Sequence, residues 1–359
     1  MKTICVALIV KNEEKVISRC INSIKNYIDY WVICDTGSTD KTKEIIEKEL
    51  SEIPGELHNT AWKNFGHNRT ELMRLAKGKA DYLLLIDADM TLDVHQEDFK
   101  QNLSCASYMV RYNGDIDYRQ KLLVDGSLDW EYVGVTHEHI NSKNNIEATE
   151  NINSISLNHF CDGARRPEKF ENDIKLLKSG LKKEPQNERY MFYLAQSYFD
   201  LGKYKLALKW YEKRIEAKGW AEEVYFSMLK KAHCLRFINK DFPFEAYAEA
   251  FEFRPSRLEA VYEIIKHCRE NSLYNMGYWL SKDLINKPYP NSDILFIDRD
   301  IYEYKLLDEV AICAYWVGLY RKSNDLCSKL LYDNKIPPHE RERIQNNKNF
   351  AENKLREKV

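Results

Sequence analysis

Tyr82-Leu-Leu-Leu-Ile-Asp87-Ala-Asp89 decides how the first half of this chain is read. Its apolar run has the length of a buried strand and is far too short for a membrane span, which needs about 20 residues. Two carboxylates, one residue apart, follow it directly. Placed at the C-terminal end of a buried parallel strand, they are costly unless something cationic lies between or beside them. A divalent metal bridging a diphosphate would supply that charge, and open α/β sheets bind ligands along this edge. The other reading is two acids that cap a turn leaving the strand.

Further strand candidates lie upstream at Ile4–Val10, Trp31–Cys34 and Leu57–Ala61. Between the first two, Val16, Ile17, Cys20, Ile21 and Ile24 recur at helical spacing behind Asn12, which reads as an N-cap. The polar turn Thr36-Gly37-Ser38-Thr39-Asp40 leads into a second helix near residues 41–52, and a third covers about 67–77. The first 90 or so residues therefore predict a doubly wound, mostly parallel sheet. Shorter strands such as Ser107–Tyr112 and Trp130–Val135 follow.

From about Arg166 strands vanish, and Tyr, Leu, Ala and Lys recur at helical spacing almost to the end. Leu194, Ala195, Tyr198, Gly202, Tyr204, Ala207 and Tyr211 are spaced as in a tetratricopeptide helix–turn–helix repeat. Tyr247, Ala250 and Pro255, then Tyr274, then Ala311, Tyr315, Gly318 and Tyr320 echo it, predicting roughly four degenerate repeats. The expected class is α/β plus all-α, with a sheet domain at residues 1–164, helical repeats at 165–336 and a charged tail at 337–359 that is an exposed helix or frays.

Composition narrows the function. Hydrophobic residues make up 44% of the 359 and charged residues 31%, enough for buried cores. With 54 Lys and Arg against 56 Asp and Glu, the net charge of −2 gives no general reason to expect nucleic-acid binding. Nine scattered cysteines without a CxxC pair argue against a disulfide framework or zinc knuckle and for a reducing, cytoplasmic setting. The apolar start ends in Lys11-Asn-Glu-Glu-Lys15 without a small-residue cleavage site, so it reads as a strand and not a leader. No run is long enough for a transmembrane span.

A second acid, Asp35, ends the strand Trp31–Cys34 as Asp87 ends its own. It is placed to accept from a nucleobase N–H or a ribose hydroxyl, or to cap the following turn. Val10-Lys-Asn-Glu13, Asp35-Thr-Gly-Ser-Thr-Asp40, Phe65-Gly-His-Asn-Arg69 and Asp87-Ala-Asp89, in this order, resemble the family 2 glycosyltransferases of GT-A fold over roughly residues 1–160. The resemblance implies a nucleotide-sugar site containing Glu13, Asp35, Asn68, Arg69 and Asp87, with Asp35 on uracil and the Asn68-Arg69 pair beside the nucleotide. It also implies that Asp87 contacts ribose or metal and that Asp89 holds a divalent cation, Mn²⁺ or Mg²⁺, against the diphosphate. Many relatives continue the DxD with Glu, whereas this chain has Met90.

Arg69 has a planar fork suited to a diphosphate, or it is a surface helix residue paired with an acid such as Glu71. Trp130-Glu-Tyr-Val-Gly-Val-Thr-His137-Glu138 resembles a segment found late in some family 2 catalytic domains. Inverting transfer needs a group that takes the acceptor proton. Glu138 is the candidate base, with His137 or His139 to orient it, and Asp115, Asp117, Asp129 and Glu131 compete. His159 is either a third metal ligand, as a late histidine is in several GT-A enzymes, or a hydrogen-bonded core residue. Arg165 and Arg166 cover phosphate or cap the junction.

The expected function is an inverting, metal-dependent, hexosyltransferase-type enzyme. It would move a sugar from a UDP-sugar to a protein, peptide or glycan acceptor held partly by the helical repeats, which also offer a route to a homodimer. The alternative is a non-catalytic repeat scaffold with a degenerate nucleotide-sugar domain. Nucleotidyltransferase, P-loop and dinucleotide-binding readings lack their Gly-rich loops after any strand.

Overall fold

The computed structural model describes residues 1–114, 118–143, 148–160, 162, 167–333 and 335–357, which divide into two compact units, Met1–Leu201 and Gly202–Val359.

The first unit opens with β1 (Ile4–Val10), α1 (Ile17–Ile24), β2 (Tyr30–Asp35), α2 (Thr42–Glu49), β3 (Gly55–Asn59), α3 (Phe65–Ala76) and β4 (Tyr82–Leu85). It continues with β5 (Met90–Val94), β6 (Ser107–Tyr112), β7 (Tyr118–Asp125), β8 (Trp130–Val133), β9 (His139–Ser142) and β10 (Thr149–His159), then α4 (Pro167–Lys183) and α5 (Glu188–Asp200). Eight strands form one sheet in the order β3-β2-β1-β4-β7-β6-β10-β5, and β8 and β9 form a separate ribbon. The first four are parallel, with Ala7 opposite both Val32 and Leu85 and Val10 opposite Asp35. The apolar runs of β1, β2 and β4 reflect burial on both faces, whereas β3, at the sheet's edge, is only half-buried. The chain steps outward from β1 to β3 and then crosses back to β4, so the topological switch point lies between β1 and β4, where ligands bind in such sheets.

Local chemistry sets the helix entries. Asn64 caps α3, its Oδ1 accepting from the His67 amide at 2.8 Å. Asn12 is not the cap expected for α1, which begins five residues later with Val16 at its N-cap. It sits instead in a left-handed conformation, φ 57°, and its Oδ1 accepts from the Thr39 amide at 2.8 Å. That ties the loop after β1 to the loop after β2, and an Asn tolerates the backbone needed.

The second unit is helical: α6 (Tyr204–Ala217), α7 (Ala221–Asn239), α8 (Phe244–Phe253), α9 (Glu259–Glu270), α10 (Tyr274–Ser281), α11 (Leu306–Trp316), α12 (Tyr320–Asp333) and α13 (Arg341–Arg356). Each helix packs on its sequence neighbours, as stacked repeats do. Tyr211, Tyr225 and Tyr247 are fully buried between helices, whereas Trp279 and Trp316 are exposed. The long connection after α10 is tied down by buried charges. Glu222 accepts from the amides of Ile294 (2.8 Å) and Leu295 (2.7 Å), and Arg257 donates to the Leu295 carbonyl (3.1 Å). The charged tail from residue 337 contains the helix α13, most of whose residues are exposed. Ile344 and Ala351 of α13 are fully buried, and Arg343 pairs with buried Asp308 at 2.8 Å. Among the described residues, no helix is long and apolar enough to cross a membrane.

Candidate active site

Asp35 closes β2 with only 1% of its surface exposed. Its Oδ1 accepts from the Gly37 and Ser38 amides, both at 2.9 Å, which caps the turn as one of its two readings expected. Its Oδ2 is buried with no hydrogen-bond partner among the described residues. A buried carboxylate oxygen left unpaired is expensive, and a donor arriving with a ligand would remove that cost.

Arg69 projects from the first turns of α3 and joins two acids. It reaches Asp87 Oδ1 at 2.5 Å and Glu138 Oε1 at 2.8 Å, and it lies 5.5 Å from the Tyr132 ring centre. Burial works against its charge, but Asp87 and Glu138 overrule it and push the guanidinium above its ordinary range. Around this trio is a cavity of about 220 Å³ whose walls include Arg69, Asp87, Tyr112, Gln120, His137 and Glu138. Lys169 of α4 also reaches its wall.

Asp89 lies beyond the strand end, 8% exposed, with its Oδ2 3.2 Å from His159 Nε2. The hydrogen bond that His159 donates to Asp89 outweighs burial and raises the His159 pKa. The expected set of Asp87, Asp89 and His159 is not assembled as three ligands: Asp87 is engaged by Arg69, and no three His, Cys, Asp or Glu side chains gather among the described residues. The remaining carboxylate and imidazole do fit a cation in chemistry and spacing. Two ligands each ~2.1 Å from one metal are ~3 Å apart.

Asn68 does not line the cavity. It is fully buried, its Oδ1 accepts from the Lys63 amide and its Nδ2 donates to the Ala61 carbonyl, both at 2.9 Å. It braces the loop before α3, and both ends of the amide are spent doing so. Glu13 lies outside the cavity walls; its amide donates to Thr42 Oγ1 at 2.8 Å and its carbonyl accepts from Ile17 at the start of α1. Of the acids competing with Glu138, Asp129 pairs with Lys77 at 2.7 Å and Glu131 with Lys143 at 3.1 Å, and neither lines the cavity. Asp115, Asp117, Arg165 and Arg166 lie outside the described residues.

Burial, with Lys169 and Arg189 nearby, pushes the His137 pKa down to about 3, so the ring is neutral near pH 7. It lies flat on Tyr193 of α5, ring centres 3.8 Å apart and planes within 4°. Sequence reading did not single out Tyr112, Gln120, Lys169 or Asp173 for this site, because nothing in their local pattern separates them from core or surface residues.

Residues 5–121 match the model of the family described as Glycosyl transferase family 2. The chain is 25% identical over 236 residues to the SPbeta prophage-derived glycosyltransferase SunS of Bacillus subtilis, an alignment covering 59% of this chain and 53% of SunS. It is 32% identical over 93 residues to a TPR repeat-containing protein of Synechococcus elongatus, covering 26% of this chain and 22% of that protein. Among solved structures it resembles residues 1–349 of S. aureus TarS in complex with UDP-GlcNAc, with a TM-score of 0.40 and 13% identity over 70% of this chain and 91% of that one. The family 2 glycosyltransferase match thus lies within the first unit, and a helical unit follows it. The chain spans about half the length of SunS.

Proposed function

We propose that this protein is an inverting, metal-dependent glycosyltransferase that uses a UDP-sugar. One observation carries the reading: the cavity at the end of β4 joins Arg69, Asp87 and Glu138 in one wall. The unpaired Oδ2 of Asp35 on the same edge matches the imide N–H of uracil, a donor that cytosine lacks at this position. Asp87, held by Arg69, is placed for a ribose hydroxyl. Arg69, which holds both acids, sets its positive charge beside the diphosphate. Asp89 and His159 would hold the divalent metal, whose charge would offset that developing on the departing diphosphate.

Glu138 acts as general base. It takes the proton from the acceptor hydroxyl or thiol as that atom bonds the anomeric carbon, and the bond to the diphosphate oxygen breaks with its electron pair leaving on UDP. Attack from the face opposite the leaving group inverts the configuration. The acceptor is a protein, peptide or glycan, and exposed aromatic rings such as Trp279 and Trp316 on the helical unit support contact with such a chain.

A UDP-release assay over a panel of UDP-sugars, with Mn²⁺ or with EDTA, tests this. Metal-dependent release from one donor is the expected result. No release from any donor, with or without candidate acceptor peptides and glycans, together with no UDP binding, would overturn it in favour of a non-catalytic scaffold.

A further inference from the structure

The loop carrying Glu138 has a costly shape. Gly134 sits at φ 120° and His137, which has a side chain to accommodate, at φ 50°. Such conformations persist where the surroundings over-determine them. Here the constraint comes from α4 and α5, which belong to the same compact unit as the sheet. Asp173 of α4 is 2% exposed, and its Oδ1 accepts from Thr136 Oγ1 at 2.9 Å. Arg189 of α5 donates through Nε to the His137 carbonyl at 3.0 Å, while Tyr193 stacks on the His137 ring. Gly180 lets α4 close on Val135, since a Cβ there would meet the Val135 side chain at 3.3 Å and the Tyr190 ring at 2.8 Å. From the other side, Gly66 of α3 admits the Gly134 carbonyl, which a Cβ would meet at 2.0 Å. Successive residues of the loop are thus gripped, and only then does Glu138 meet Arg69.

We infer that α4 and α5 form a clamp on the catalytic loop, with Asp173, Arg189 and Tyr193 as positioning residues that present Glu138 to the cavity. The helices that follow the sheet are in this respect part of the catalytic unit. Only the kinetic part of the inference rests on the glycosyl-transfer reading.

The test uses the full chain and three variants, Tyr193→Leu, Tyr193→Phe and Thr136→Val, each read in two ways. Glutamyl endopeptidase cuts after Glu138 only when the loop opens. The inference predicts cleavage there roughly tenfold faster in Tyr193→Leu and Thr136→Val, with helix content retained, and wild-type protection in Tyr193→Phe, which keeps the stack. In UDP-sugar turnover, the two loosened variants should lose on the order of 10–100-fold in kcat at unchanged donor KM, with Tyr193→Phe restoring it. Wild-type protection in both loosened variants, or a Tyr193→Phe as impaired as Tyr193→Leu, would overturn the clamp. A wild-type chain inactive on every donor would count against glycosyl transfer alone, and the cleavage data would still decide the clamp.

Discussion

Arg69 of α3 and Asp87 at the end of β4 are joined by a 2.5 Å ion pair, and the same guanidinium holds Glu138. One side chain thus links the end of β4, the proposed nucleotide edge, to the loop proposed to do the chemistry. With Arg69 largely buried and Asp87 partly open, the pair lies between the exposed and buried extremes. Replacing Arg69 with Met should cost roughly 2 kcal/mol. Chemical denaturation checks it, and an unchanged midpoint would mean that the two acids do not need their cation.

Asp35→Asn probes the nucleotide contact with little effect on the turn, because the remaining carbonyl oxygen still accepts from Gly37 and Ser38. The new NH₂ faces the imide N–H of uracil, donor to donor. Affinity for UDP should fall by roughly 10–150-fold, the loss of a charged acceptor worth about 1.5–3 kcal/mol. Calorimetric titration of both proteins measures it, and equal affinities would remove Asp35 from the nucleotide site.

Gly66→Ala should destabilise the first unit although Gly66 lies in a helix, where alanine is ordinarily favoured. The added methyl would meet the Gly134 carbonyl at 2.0 Å, backbone against backbone. Overpacking of this kind costs about 1–3 kcal/mol and here also displaces the loop that bears Glu138. A thermal midpoint at or above the wild-type value would refute that close approach.

His137 makes the clamp acid-sensitive. Its folded pKa of about 3 lies below the ordinary 6.5, so between those values the unfolded chain binds more protons and stability falls as pH falls. Lys169 and Arg189 lie near the ring as cations and Asp173 as an acid 3.9 Å away, and Asp173, raised by burial, offsets part of the loss. Because 35% of the His137 side chain is exposed, the loss at pH 5 is discounted from ~2 to about 1 kcal/mol. That corresponds to a midpoint drop of roughly 2–4 °C from pH 7. His137→Phe, which stacks without titrating, should show a smaller drop; an equal one would assign the acid sensitivity elsewhere.

The strands and the acids that end them are legible because each is a local pattern. Ile4–Val10 and Ser107–Tyr112 stand where their apolar runs place them, and Asp35, Asp87 and Asp89 follow such runs directly. What escapes is whatever depends on distant partners. Asn68 reads as a ligand contact until its amide is seen bracing Lys63 and Ala61. Thr136 and Asp173 meet across a long stretch of chain, and helical periodicity shows that α4 and α5 exist without showing that they pack with the sheet unit. The charged composition of the tail hides Ile344 and Ala351, two small apolar footholds that suffice to seat α13.

In the proposed mechanism Glu138 performs the proton transfer at a UDP-sugar site. Glu138→Gln, compared with wild type for UDP affinity and for turnover of the preferred donor, tests it most directly. The expected result is a kcat lower by about 10²–10⁴-fold with UDP affinity within about threefold of wild type. Turnover equal to wild type would contradict it, and would move the base to an acid elsewhere in the first unit.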